Sequence, residues 1–242
     1  MALVTPITRL FNIKHPIIQG GMHHVGFAPL AAAVANAGGL GLVTALTQPS
    51  ADKLREEIRA AKGMLHEGCE GAVGVNLTIL PTLTKGVDYA SYVRTVIEED
   101  IKIVETAGRP PSDFINELKD AGVKIIHKCV TTRHAKSAER MGADAISLDG
   151  FDCAGHPGEG DMGNWILQAM GARELSVPYV ASGGVGNGRQ LAAALALGAS
   201  GVNCGTRFMA TVEAPIHANI KGALVAAGPD ATTLVMKSVR NT

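Results

Sequence analysis

The 242-residue sequence carries no excess charge of either sign, with 22 Lys and Arg against 22 Asp and Glu. It therefore offers no basic surface for nucleic acid, and small molecules become the expected ligands. It also lacks any apolar run near the roughly 18 to 20 residues that cross a bilayer, because Gly or a charge interrupts each one, so no membrane partner is expected. The opening stretch, MALVTPITRLFNIKHP, has no basic start followed by an apolar block and a small-residue cleavage site, and a cytoplasmic protein is expected. Cys69, Cys129, Cys153 and Cys204 are widely spaced and form no C-x-x-C, which argues against disulfides and zinc alike. The HEGCE stretch from His66 is not H-E-x-x-H, and His23 and His24 have no partner at metal-ligand spacing, so no metal is expected. Two glycine-rich stretches, AGGLGLV from Ala37 and ASGGVGNGRQ from Ala181, both miss the G-x-G-x-x-G spacing of a dinucleotide fingerprint.

What is present is a regular alternation. Hydrophobic residues make up 46% and charged residues 18%, enough apolar material for a large core. Strands are expected at Pro16 to Gln19, Gly41 to Thr44, Ala72 to Asn76, Lys102 to Thr106, Val123 to Cys129, Asp144 to Asp149, Val177 to Ala181 and Gly201 to Cys204. Helices are expected at Ala28 to Ala37, Ala51 to Met64, Tyr89 to Asp100, Ser112 to Ala121, Thr132 to Met141, Asn164 to Arg173 and Arg189 to Leu197, several closed by small-residue punctuation such as NAGG and RMGAD. Near-continuous apolar strands separated by helices imply parallel β/α units buried on both faces, and eight of them predict an α/β fold of the (β/α)8 TIM-barrel type. The barrel is expected to occupy residues 1–212. Residues 213–242 read as the start of a smaller C-terminal domain, apparently incomplete, with room for at most one closing helix.

In such barrels function sits where strands end and loops begin. The glycine stretch at Gly183 and Gly184 follows the seventh strand, and CGTRF follows the eighth, the two loops that hold phosphate in many barrels. Backbone N–H groups of Gly183, Gly184, Gly205 and Thr206 could thus accept a phosphate dianion. The alternative is that these glycines only make tight βα turns. Lys128 interrupts an apolar strand, and a buried ammonium needs an anion: a cofactor or substrate, or Asp149 on the next strand. The long loop LDGFDCAGHPGEGD, from Leu148 to Asp161, contributes His156 as a candidate acid or base and Cys153, which reads better as apolar filler than as a nucleophile. Asn76 could recognise a polar ring edge or cap its turn, and Phe151 and Trp165 could border the site or pack beneath it.

Taken in order, HPIIQGGM, AVANAGGLG, GVNLT, KIIHKC, DGFDCAGHPGE, ASGGVGNGRQLAAALALGASGVNCGTRF and SVRNT resemble the FMN-dependent nitronate monooxygenase, or 2-nitropropane dioxygenase, family from about Pro16 to the chain end. The FDCAGHPGE stretch most resembles the NADH:quinone reductase branch, and enoyl-acyl-carrier-protein reductases are a further relative. The resemblance implies a flavin-dependent oxidoreductase that oxidises NAD(P)H with a quinone or an alkyl nitronate with O2. It implies FMN at the barrel mouth, with Gly21 and Met22 beside the isoalloxazine, Asn76 on its polar edge, Lys128 near the ring, Asp149 near the ribityl chain, and Gly183, Gly184, Gly205 and Thr206 on the phosphate. It further implies His156 as the catalytic histidine and Pro81 in a loop that gates the substrate. A homodimer is the default oligomer. The alternatives are a flavin-free phosphate-binding isomerase or lyase, and an inactive FMN-binding fragment.

Overall fold

The computed structural model describes residues 3–79, 87–155, 160–228 and 230–233. Eight parallel strands close into one barrel in sequence order: β1 (Ile17–Gln19), β2 (Leu40–Thr44), β3 (Ala72–Ile79), β4 (Ile103–Gly108), β5 (Lys124–Cys129), β6 (Ala145–Asp149), β7 (Tyr179–Ser182) and β8 (Val202–Cys204). The β8 to β1 pairing, Ile17 with Val202 and Gln19 with Cys204, completes the ring. Every expected strand is present, with ends moved by a few residues.

The helices are α1 (Pro6–Phe11), α2 (Ala28–Asn36), α3 (Ala51–Gly63), α4 (Tyr89–Glu98), α5 (Ile115–Asp120), α6 (Thr132–Met141), α7 (Asn164–Glu174), α8 (Gly188–Ala196), α9 (Thr206–Met209) and α10 (Ala218–Ala226). Their starts follow local chemistry. The hydroxyls of Ser50 and Thr131 accept the N–H groups of Lys53 and His134 at the heads of α3 and α6, and Gly142 takes the left-handed turn that ends α6. On α3, Leu54, Ile58 and Ala61 recur at helical spacing and form its buried face.

Two helices, α1 and α9, were not expected from the sequence, and a third, α10, takes the place of the one closing helix allowed for. The first, α1, is too short to show a period, but Thr5 and Thr8 form a capping box around Pro6, which is preset for a helix start. Its Ile7 and Phe11 join Ile13, Ile18, Leu40, Leu42, Ile103, Ile126, Ala145 and Val180 in one apolar cluster that plugs the end of the barrel where strands begin. The others, α9 and α10, follow β8. The expected domain boundary near residue 212 falls just beyond α9, and α10 contributes no buried side chain, leaving Ile220 and Val225 exposed. No helix among the described residues is long and apolar enough to cross a membrane.

Candidate functional site

At the other end of the barrel, where strands finish, the interior is polar. Alternation along each strand sends every second side chain inward, so the residues above the apolar plug are Asn76 on β3, Glu105 on β4, Lys128 on β5, Ser147 and Asp149 on β6, and Asn203 on β8. They form one continuous network. Glu105, fully buried, accepts from the Gly21 N–H (3.0 Å) and Asn76 Nδ2 (2.7 Å) at Oε2, and from Asn203 Nδ2 (2.7 Å) at Oε1. Asn203 Nδ2 also lies 3.2 Å from Ser147 Oγ, Ser147 donates to Asp149 Oδ1 at 2.8 Å, and Asp149 Oδ2 is 3.1 Å from Lys128 Nζ. Loop and strand residues from six β/α units are thereby tied together.

The pair Lys128 and Asp149 realises the internal anion that the lone lysine demanded. Burial alone would strip the proton from Lys128, but Asp149 and then Glu105 outweigh it and hold the ammonium above its usual range. Its neighbour His127 points to the opposite face of β5, buried among the outer packing with Nδ1 2.7 Å from Thr106 Oγ1. Desolvation drives its pKa down to about 4 against the pull of Asp149, so it stays neutral. Cys153 is no poised nucleophile, since burial, aided by Asp149, pushes its thiol up to about 12.

The glycines after β7 answer to two constraints. Gly183 has φ +98°, and a Cβ there would stand 2.6 Å from the Cys153 backbone nitrogen, so the backbone of the loop after β6 packs against this turn. Among the described residues, the N–H groups of Gly184, Gly205 and Thr206 donate to no protein acceptor, while that of Gly183 continues the β7–β8 ladder toward the Asn203 carbonyl. By contrast, the N–H groups of Arg189 and Gln190 at the head of α8 are already taken by the Asn187 side chain, so the free donors lie in the turns and not in that helix. Arg207 Nε bonds the Gly186 carbonyl at 2.8 Å and brings a guanidinium to the same two loops. Three uncommitted N–H donors beside a cation suit a phosphate dianion, so the residues present fit the FMN phosphate.

Other expected site residues fall as follows. Gly21 lies over Asn76, whose side chain a Cβ would overlap, and Met22 bonds Thr44 Oγ1 through its N–H at 3.0 Å. Phe151 and Trp165 are exposed and so do not pack beneath the site. His156 and Pro81 lie outside the described residues. An apolar cavity of about 250 Å³ lies elsewhere, lined among others by His15, Ile17, Leu30, Val34 and Phe208. Glu105, Ser147 and Asn203 had been given no role from sequence. The available signal was parity: Glu105 sits two residues after inward Ile103, as Lys128 does after Ile126.

Fold and site together define a parallel (β/α)8 barrel with a charged, hydrogen-bonded mouth and glycine-containing turns in its last two loops. The chain belongs to the nitronate monooxygenase family, whose model matches residues 4–81 and 75–240. It is 33% identical to a (3aS,4S,5R,7aS)-5-hydroxy-7a-methyl-1-oxo-octahydro-1H-indene-4-carboxyl-CoA dehydrogenase of Mycobacterium tuberculosis, over 98% of this chain and 64% of that protein. A nitronate monooxygenase of Paraburkholderia phytofirmans is 32% identical over 93% of this chain and 71% of its own length. FabK from Thermotoga maritima superposes with a TM-score of 0.84 at 35% identity, covering 93% of this chain and 68% of that one. The chain thus spans just under two thirds of the dehydrogenase it matches.

Proposed function

We propose that this chain is the FMN-binding barrel of a flavin-dependent oxidoreductase acting on a small molecule. The observation that carries the reading is the pair of loops after β7 and β8, whose N–H groups at Gly184, Gly205 and Thr206 are uncommitted and stand in the loops that hold phosphate in many barrels. When bound, FMN supplies two-electron chemistry between a donor and an acceptor. The residues of the chain supply placement and charge. The turns at Gly183, Gly184, Gly205 and Thr206 hold the phosphate through the free N–H groups among them, with Arg207 beside them. Asn76 takes the polar ring edge, Gly21 and Met22 border the ring, and Asp149 lies toward the ribityl chain. Lys128, kept protonated at Nζ by its carboxylate neighbours, presents positive charge where negative charge grows on reduction. His156 moves a proton to or from the substrate, and Pro81 belongs to the loop that gates it.

The family makes two substrate classes natural: NAD(P)H with a quinone, and an alkyl nitronate with O2. The relationship to a carboxyl-CoA dehydrogenase at almost full coverage of this chain favours a third, a hydroxyacyl-CoA thioester. One set of spectra separates them. The purified protein is expected to carry or take up FMN, and its flavin bands to bleach anaerobically with NADH, propyl-2-nitronate or a hydroxyacyl-CoA, each added alone. Uptake without bleaching by any donor marks a binding fragment. Refusal of FMN overturns the flavin reading and leaves the phosphate-binding isomerase or lyase.

A further inference from the structure

We infer that Glu105 is the positioning residue of the barrel mouth, the single acceptor that sets which way the amides of Asn76 and Asn203 face and so holds the polar surface on which the flavin is proposed to lie. This rests on the FMN reading for its consequence, though not for its geometry. The carboxylate lies on β4 with no solvent exposure, and its two oxygens take three N–H donors from three separate parts of the barrel: the loop after β1, β3 and β8. A carboxylate can only accept, so each asparagine must turn its NH2 toward Glu105. The orientation of Asn76 is then completed by Thr78, whose Oγ1 lies 3.3 Å from Asn76 Oδ1. The orientation of Asn203 leaves its NH2 also within reach of Ser147, the step that leads to Asp149 and Lys128. Glu105 therefore reaches the lysine through a hydrogen-bonded chain, as well as through space as a second negative charge.

The geometry makes Glu105→Gln an unusually informative change. Its amide has one acceptor and one donor, and the donors at Oε2 include the Gly21 backbone N–H, which cannot reorient. The glutamine oxygen must stay at that position, which turns its NH2 against Asn203 and forces that side chain to flip. The flip removes the Asn203 donor from Ser147. In the double variant Glu105→Gln with Asn203→Asp, donor and acceptor are exchanged across the same contact, and the clash disappears.

The test uses the full chain. In Glu105→Gln the side-chain NH2 resonances of Asn203 are expected to move in the flavin-free protein, with FMN affinity down about tenfold, the scale of one lost buried hydrogen bond. In an Asn203→Ala background the same change should weaken FMN by less than about twofold, because its effect passes through that amide. The midpoint potential of the bound flavin should become more positive, since a negative charge near the ring has gone. The Glu105→Gln, Asn203→Asp double variant should recover most of the affinity. Unmoved Asn203 resonances, equal losses in both backgrounds or an unchanged potential would overturn the assignment and leave Glu105 as a strut of the barrel. If Glu105→Gln fails to fold, the swap variant decides: folded and FMN-binding supports the pairing, unfolded overturns it. If the native chain takes up no FMN, the flavin reading has failed, and the Asn203 resonances alone still support or overturn the positioning role.

Discussion

The two ends of the barrel interior are built from the same eight strands and by the same alternation, yet they hold opposite chemistry. Where strands begin, Ile18, Leu40, Leu42, Ile103, Ile126, Ala145 and Val180 pack against Ile7 and Phe11 of α1 in a dry plug. Two residues further along three of those strands stand Glu105, Lys128 and Ser147, joined by Asn76, Asp149 and Asn203. Apolar packing is tolerant of small errors in geometry, and its free energy scales with area. A buried polar layer is costly unless each member finds its partner, so it fixes orientation. The plug holds the barrel closed, and the mouth holds groups in place. Substitutions at the two ends should therefore fail in different ways.

The largest effect is expected in the plug. Leu42→Ala removes a fully buried side chain from it and should cost about 2–5 kcal/mol in urea unfolding. The FMN affinity of the protein that remains folded should be close to that of the native chain. A loss of affinity as large as the loss of stability would break the division between the two ends.

The next effect sharpens the contrast between the two faces of a single strand. Lys128 faces the mouth and holds its proton, while His127, one residue earlier, faces the outer packing and sheds it, with a folded pKa of about 4 against an ordinary 6.5. A base whose pKa is depressed on folding binds more protons when unfolded, so its contribution to stability rises with pH between those two values. Stability should accordingly be complete above pH 6.5 and fall by up to about 3 kcal/mol as pH drops toward 4. Urea melts between pH 4 and pH 7 should show this slope in the native chain and a flatter one in His127→Gln. An unchanged slope would place the pH sensitivity elsewhere.

Much of this arrangement was legible in the sequence, and the missing part has a physical reason. Eight apolar runs separated by capped helices leave little choice of fold, and a lysine inside such a run demands an anion, which Asp149 supplies. The glycines at Gly183 and Gly184 direct attention to the loop after β7, where the phosphate is proposed to lie. Their requirement is more mixed than the sequence suggested, because at Gly183 the close approach comes from the chain itself, at Cys153. Glu105 and Asn203 went unassigned because each is one polar residue in a short strand, and parity marks an inward position only once a neighbour on the same strand is known to face inward. Only the register, which places Asn76 opposite Glu105 and Asn203 opposite Ser182, brings them onto one ring. Helix α1 was hidden by its length, though Thr5 and Pro6 carried a start signal.

The smallest effect probes the turn where the proposed phosphate cradle meets the loop after β6. Gly183→Ala must place a Cβ at φ +98° and 2.6 Å from the Cys153 nitrogen. The backbone conformation alone should cost about 1–2 kcal/mol. The contact cannot relax by a side-chain rotation, because the opposing atom is backbone, so the segment around Asp152 and Cys153 must move. Cys153 reports that movement. In the native chain its thiol, pushed up to about 12, should react with iodoacetamide far more slowly than a free thiol. In Gly183→Ala the reaction at Cys153 should speed up, while Cys129 and Cys204, which are buried under the outer helices, stay slow. Equal acceleration at all three would mean that the barrel as a whole had loosened. An unchanged rate at Cys153 would mean that the two loops are not in mechanical contact, and the cradle would then have to be held by the β7 and β8 loops alone.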